Sequence, residues 1–133
     1  MRFMMFMIPN ISEGEWGPSP EDVAAMTRYN QELERAGVLL SLDGLRSASE
    51  GARVSFSHDS TPTPTVTDGP FSEAKEVVGG YWMVNVRDRA EAIEWARRCP
   101  AGPGDIIEIR QVWEMEDFSP EIQAAAAASQ AGS

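Results

Sequence analysis

Cysteine and histidine are almost missing from this sequence. Cys99 is the only cysteine and His58 the only histidine among 133 residues. A lone cysteine excludes an intramolecular disulfide and a zinc site built on several thiolates. With one histidine beside it, a metal centre of nitrogen and sulfur ligands is not expected, and neither is a cofactor. Basic residues are scarce too, 11 against 21 acids, for a net charge of −10. Direct nucleic-acid binding needs a basic face that displaces counterions, so this balance argues against it. It also disfavours an anionic membrane surface. Long apolar runs are lacking. Phe3–Ile8, near the start, is shorter than a signal-peptide core and far shorter than a membrane span. The expectation is a cytoplasmic protein whose first element is a strand. No phosphate loop, dinucleotide fingerprint or nucleophile elbow is present.

What is present suits one globular domain. The chain is long enough for a real core, and 42% of its residues are hydrophobic, as a core requires. Phe3–Ile8 is apolar at odd and even positions, which predicts a strand covered on both faces. Residues 9–18 are rich in Pro, Gly and Asn and read as a loop. Ser19, Pro20, Glu21 and Asp22 then form a helix start: a cap, a proline at the first helical position and two acids at the positive end of the dipole. Val23, Met26, Leu33 and Ala36 recur at helical spacing until Gly37 stops the helix. Strands are predicted over 38–45, 52–57, 65–67, 80–86 and 105–115, with a second helix over 89–99 capped by Asp88. His58–Pro64 is a polar hairpin tip.

This order, β-α-β-hairpin-β-α-β, is an α+β pattern: a ferredoxin-like split βαβ with an inserted β-hairpin. Two helices can cover only one face of the sheet. Met4, Phe6 and Ile8 lie on one side of the first strand, and Phe3, Met5 and Met7 on the other. An exposed patch of that size is uncommon. The simplest cover is a second copy, sheet against sheet, so a homodimer forming a dimeric α+β barrel is expected. Residues 1–117 form the domain. Residues 118–133 read as a short Ala-rich helix and flexible tail with little apolar face.

The segment "VTDGPFSEAKEVVGGYWMVNVRDRAEAIEWARRCP" resembles the signature of the DGPF, or YCII-related, proteins of bacteria. Asp68-Gly69-Pro70-Phe71 gives the subfamily its name. Glu73, Lys75, Glu76, the Gly79-Gly80 pair and "EAIEWA" match the pattern, as do Trp16 and "AGVLLSLDGL" earlier in the chain. The resemblance runs from residue 1 to about residue 113. It implies a dimeric α+β barrel, and association of some members with extracytoplasmic-function sigma factors. A related branch acts on a lactone and implies acid–base chemistry of the lyase or isomerase type on a small organic acid or lactone. That branch places a histidine in the first helix, and residues 20–36 here contain none.

Two readings of Asp68 stand side by side. One is a carboxylate at the mouth of a cleft, acting as base or acceptor. The other is an Asx turn, which composition favours: Asp68 would accept amides just after Pro70, and Phe71 would fold back into the core. Lys75 and Glu76 are pocket charges or part of a solvated turn, close before the glycine pair where a ligand could approach the backbone. Glu108 and Arg110 share one face of the last strand, lining a barrel or guarding an edge, with the edge role favoured. His58 reads as a turn residue. Cys99 reads as a small buried hydrophobe and not a reactive thiol. The other aromatic residues read as core or interface, and Trp16, in a loop, as the one to line a pocket. The candidate binding set is therefore Trp16, Asp68, Phe71, Lys75, Glu76 and Arg110, with Asp68 the candidate catalytic residue. Two functions remain open: small-molecule binding in a cleft near Asp68, or a non-enzymatic regulatory role beside a sigma factor.

Overall fold

Apolar residues on both faces place the first strand, β1 (Arg2–Ile8), in the middle of a sheet. The structure, a computed structural model, describes residues 1–59, 63–71 and 77–131. The helix α1 (Pro20–Arg35) follows, opened by a reciprocal capping box between Ser19 and Asp22. Gly37, at φ 72°, turns the chain out of it. Next come β2 (Leu39–Gly44), the hairpin strands β3 (Ala52–Ser55) and β4 (Thr65–Asp68), and β5 (Gly80–Asn85). The helix α2 (Arg89–Arg97) is capped by the Asp88 side chain, which accepts from the Glu91 amide. It leads to β6 (Ile106–Gln111), and α3 (Pro120–Ala131) ends the described chain.

The four long strands form one antiparallel sheet in the order β2-β5-β1-β6. β1, α1 and β2 are thus a split βαβ unit with β5 inserted between its strands, the expected ferredoxin-like α+β arrangement. β3 and β4 stand apart as a two-stranded ribbon, the inserted hairpin.

Register decides which apolar set is buried. Phe3 opposes Val84 and Met5 opposes Trp82. All four are buried against Tyr29 and Leu33 of α1 and Ala92 of α2. Tyr29 and Trp82 meet edge to face, with ring centroids 5.8 Å apart. Each has a polar end that burial obliges to find a partner. The Tyr29 hydroxyl donates to the Trp95 carbonyl at 2.7 Å, and the Trp82 indole donates to Asn30 at 2.8 Å. Burial pushes the Tyr29 phenol well above its ordinary pKa. The opposite sheet face carries Met4, Phe6 and Ile8, half-buried, beside Tyr81 and Met83. On that face Arg110 stands opposite Met4 and Glu108 opposite Phe6, both exposed.

Three boundaries differ from the expected ones by two residues or more, and the first is β3, which ends at Ser55 and not 57. β6 stops at Gln111, not 115, because the chain turns there into a 3-10 turn over Met115–Asp117, capped reciprocally by Glu114 and Asp117. Arg2 grips Glu114 with two hydrogen bonds, at 2.6 and 3.1 Å, just before that turn. α2 stops at Arg97, so Cys99 follows the helix instead of ending it.

Candidate functional site

At the end of the sheet where β1 finishes, four connections converge on a cleft of about 780 Å³. Its inner surface includes Met7 of β1 and Met26 of α1. Pro9 takes the chain off the sheet, since proline cannot donate to a ladder. The strand-like pairing is instead carried outward by Gly79: its amide donates to the Met7 carbonyl at 2.7 Å, and its carbonyl accepts from the Leu45 amide at 2.8 Å. A β-carbon on Gly79 would lie 3.0 Å from the Pro9 ring and 3.3 Å from Trp16. Glycine at 79 therefore lets both rings close on the backbone. The Trp16 indole N–H donates to the Leu45 carbonyl at 3.1 Å, which fixes the ring as a wall.

The opposite wall is the connection from α2 to β6. Asp105 organises it. One carboxylate oxygen accepts from the Asn10 amide at 2.7 Å and the other from the Gly102 amide at 2.8 Å. The carboxylate thus ties two loops together. Gly104 sits at φ 82°, and a β-carbon there would meet the Asn10 side chain closely. Pro100 and Pro103 complete this wall. The rim holds Asp22, Ser47, Glu50 and Arg46, and the Arg46 guanidinium lies 3.2 Å from Glu50.

The Asp68-Gly69-Pro70-Phe71 segment stands behind that rim. Asp68 is the last residue of β4 and pairs with Ala52. The Gly69 amide donates to the Gly51 carbonyl at 3.0 Å. A β-carbon on Gly69 would overlap the Ala48 carbonyl, so only glycine fits against the 3-10 turn Ala48–Glu50. The Gly69-Pro70 peptide is cis. The Asp68 carboxylate is exposed, and the amides from residue 72 on that it was expected to bind lie outside the described residues. One detail of the expected turn is corrected. Phe71 is half-buried outside the core. The Arg53 guanidinium covers its ring at 3.9 Å from the centroid, so β3 provides the partner that the core was expected to give.

Among the described members of the candidate set, Trp16 alone lines the cleft. Arg110 lies on the open sheet face. Lys75 and Glu76, with Glu73, fall outside the described residues. His58 is exposed beyond β3. Cys99 is half-buried, and its thiol is pushed up to about 12, first by burial and then by the negative charge of Asp105. That disfavours the thiolate and a nucleophilic role. Among the described residues no three carboxylate, histidine or cysteine side chains gather as a metal site. No described helix is long and apolar enough to cross a membrane.

A family model of the YCII-related domain matches residues 1–116. The chain belongs to the YCII-related family. No curated protein matches it. The YCII-related match spans the whole four-stranded sheet, the ribbon and every residue of the cleft, and it stops short of α3. Within this YCII-related domain, sequence reasoning missed Asp22, Arg46, Glu50 and Asp105 as cleft residues. Asp22 reads locally as a helix cap and Asp105 as the start of a strand. The one visible signal was Gly79, a glycine at the mouth of a strand where something must approach the backbone.

Proposed function

We propose that this YCII-related protein binds a small organic molecule in the cleft beside Trp16. The observation that carries this reading is the fixed wall: Trp16 is hydrogen-bonded to Leu45 and seated on Gly79 over an apolar inner surface. A preformed cavity of about 780 Å³ lies within the usual span of small-molecule sites, and binding there spends little on ordering side chains. The Asp68 turn serves the site from behind, by holding the segment from which Ser47 and Glu50 reach the rim. Asp68 itself remains the candidate acceptor for a ligand reaching past that rim. The sequence places no histidine in the first helix and the cleft lining has none, so binding is favoured over acid–base turnover of the lactone-acting kind. A homodimer through the open sheet face belongs to the same reading. Met4, Phe6 and Ile8 need a cover, and Glu108 of one copy can pair with Arg110 of the other.

The test is a thermal-shift screen of small aromatics, acids and lactones against wild type and Trp16→Ala. A ligand at a hundred times its Kd stabilises a fold by about 2.7 kcal/mol, and that gain should vanish in Trp16→Ala. A screen with no Trp16-dependent hit would remove the cleft from consideration.

One observation favours a second reading, a regulatory protein associated with an extracytoplasmic-function sigma factor. The β3–β4 ribbon exposes Val54, Val66 and, just beyond β3, Phe56, an apolar strip suited to a protein partner. Titration of such a sigma factor with wild type and Phe56→Ser tests it, and equal affinities would end it.

A further inference from the structure

The cleft's hydrogen-bonding groups are unbalanced, and the imbalance selects a ligand class. Four prolines, Pro9, Pro18, Pro100 and Pro103, form part of its lining and have no N–H to offer. Several other donors of the lining are already engaged within the protein. The Asn10 and Gly102 amides bond Asp105, the Gly79 amide bonds Met7, and the Leu45 amide bonds Gly79. The Trp16 indole bonds Leu45, and the Asn10 side-chain amide bonds Pro103 at 3.4 Å.

Charge points the same way. Asp22, Glu50 and Asp105 give three carboxylates against one guanidinium, Arg46, among the described lining residues. Arg46 is held by Glu50 and its side chain is 85% exposed, so water already solvates most of its charge. Each carboxylate keeps acceptor capacity beyond the bonds it makes, since an ionised carboxylate has about four lone-pair sites. A bound carboxylate would thus meet a net negative wall with one solvated cation. A bound ammonium would meet acceptors and favourable charge.

We infer that the cleft takes a small organic cation: an amine carried on an aromatic or alicyclic body. The body lies against Trp16, Met7 and Met26, and the ammonium points to the rim carboxylates. This rests on the small-molecule reading and narrows it, against the organic acid that the lactone-acting branch suggests.

The experiment is calorimetric titration of the full chain with three probes that share an indole and a two-carbon linker: tryptamine, tryptophol and indole-3-propionate. Tryptamine should bind about tenfold tighter than indole-3-propionate, with tryptophol between them. Trp16→Ala should abolish binding of all three. Glu50→Gln removes one carboxylate and frees Arg46, so it should narrow the gap between amine and acid; it lies on an exposed turn and leaves the core untouched. If indole-3-propionate binds as tightly as tryptamine or tighter in a Trp16-dependent manner, the cationic preference is overturned while the cleft reading stands. A gap that Glu50→Gln leaves unchanged would also overturn it. If none of the three shows Trp16-dependent binding at millimolar concentration, both readings fall together.

Discussion

A single glycine shows how residue-scale sterics shape the rim of the cleft. Gly69 has no room for a β-carbon because the Ala48 carbonyl already occupies that space. Gly69→Ala must therefore push the Ala48–Glu50 turn away from β4 and disturb Ser47 and Glu50 at the rim. Chemical denaturation should show a loss of about 2 kcal/mol or more, in line with other substitutions that clash with fixed backbone. Phe71, two residues on, should behave differently. Its ring lies under Arg53 and not in the core, so Phe71→Ala should cost only about 1 kcal/mol, the scale of an exposed cation–π contact. A loss near 3 kcal/mol would mark a core aromatic and refute this placement. The sequence shows a turn at this place without hesitation, since aspartate, glycine and proline stand in a row. It does not show what the turn touches. Ala48 lies 21 residues before Gly69 in the chain, and only the hairpin's pairing brings the two together.

Elements follow local chemistry closely where a cap is present. Ser19 with Asp22, and Asp88 ahead of Glu91, begin the two core helices where their residue types predict. The junction after β6 escapes prediction because its cause is distant. Arg2, on the opposite edge of sequence, holds Glu114 and fixes the chain as it leaves the sheet. The hydrogen bond and charge of Arg2 hold the Glu114 carboxyl below the usual carboxylate range. A carboxyl lowered in the folded state stabilises the fold above its unfolded pKa and loses that contribution as pH falls through the folded value. Melting temperature should thus decline on the acid side of the ordinary carboxylate range. Glu114→Gln should flatten part of that decline, while neutral-pH stability drops only modestly because the pair is partly solvated. An unchanged acid limb in Glu114→Gln would remove Glu114 from the account.

The whole molecule poses the question of its uncovered face. Phe3 and Met5 are sealed beneath α1 and α2, whereas Met4 and Phe6 on the same strand stay only half-buried. Sedimentation at micromolar concentration should give about twice the 14.6 kDa chain mass. Phe6→Asp should yield a folded monomer, and Met5→Asp an unfolded chain, because the two residues point to opposite faces. A wild-type monomer would sink the dimer. Much of this was legible in the sequence. Period-2 and period-3.6 patterns, caps and glycine stops gave the element order, and that order admits few ways to cover one sheet with two helices. Composition by itself also ruled out an intramolecular disulfide, since Cys99 is the only cysteine, and argued against a basic binding face. Only the tertiary structure decided which side of β1 faces the helices, since both sides are equally apolar. It alone assembled the cleft, because Met7 lies on β1 and Trp16, Leu45, Gly79 and Asp105 lie on four separate connections. Backbone pairing across the sheet joins them, and a side chain's local sequence carries no record of which distant loop will stand opposite.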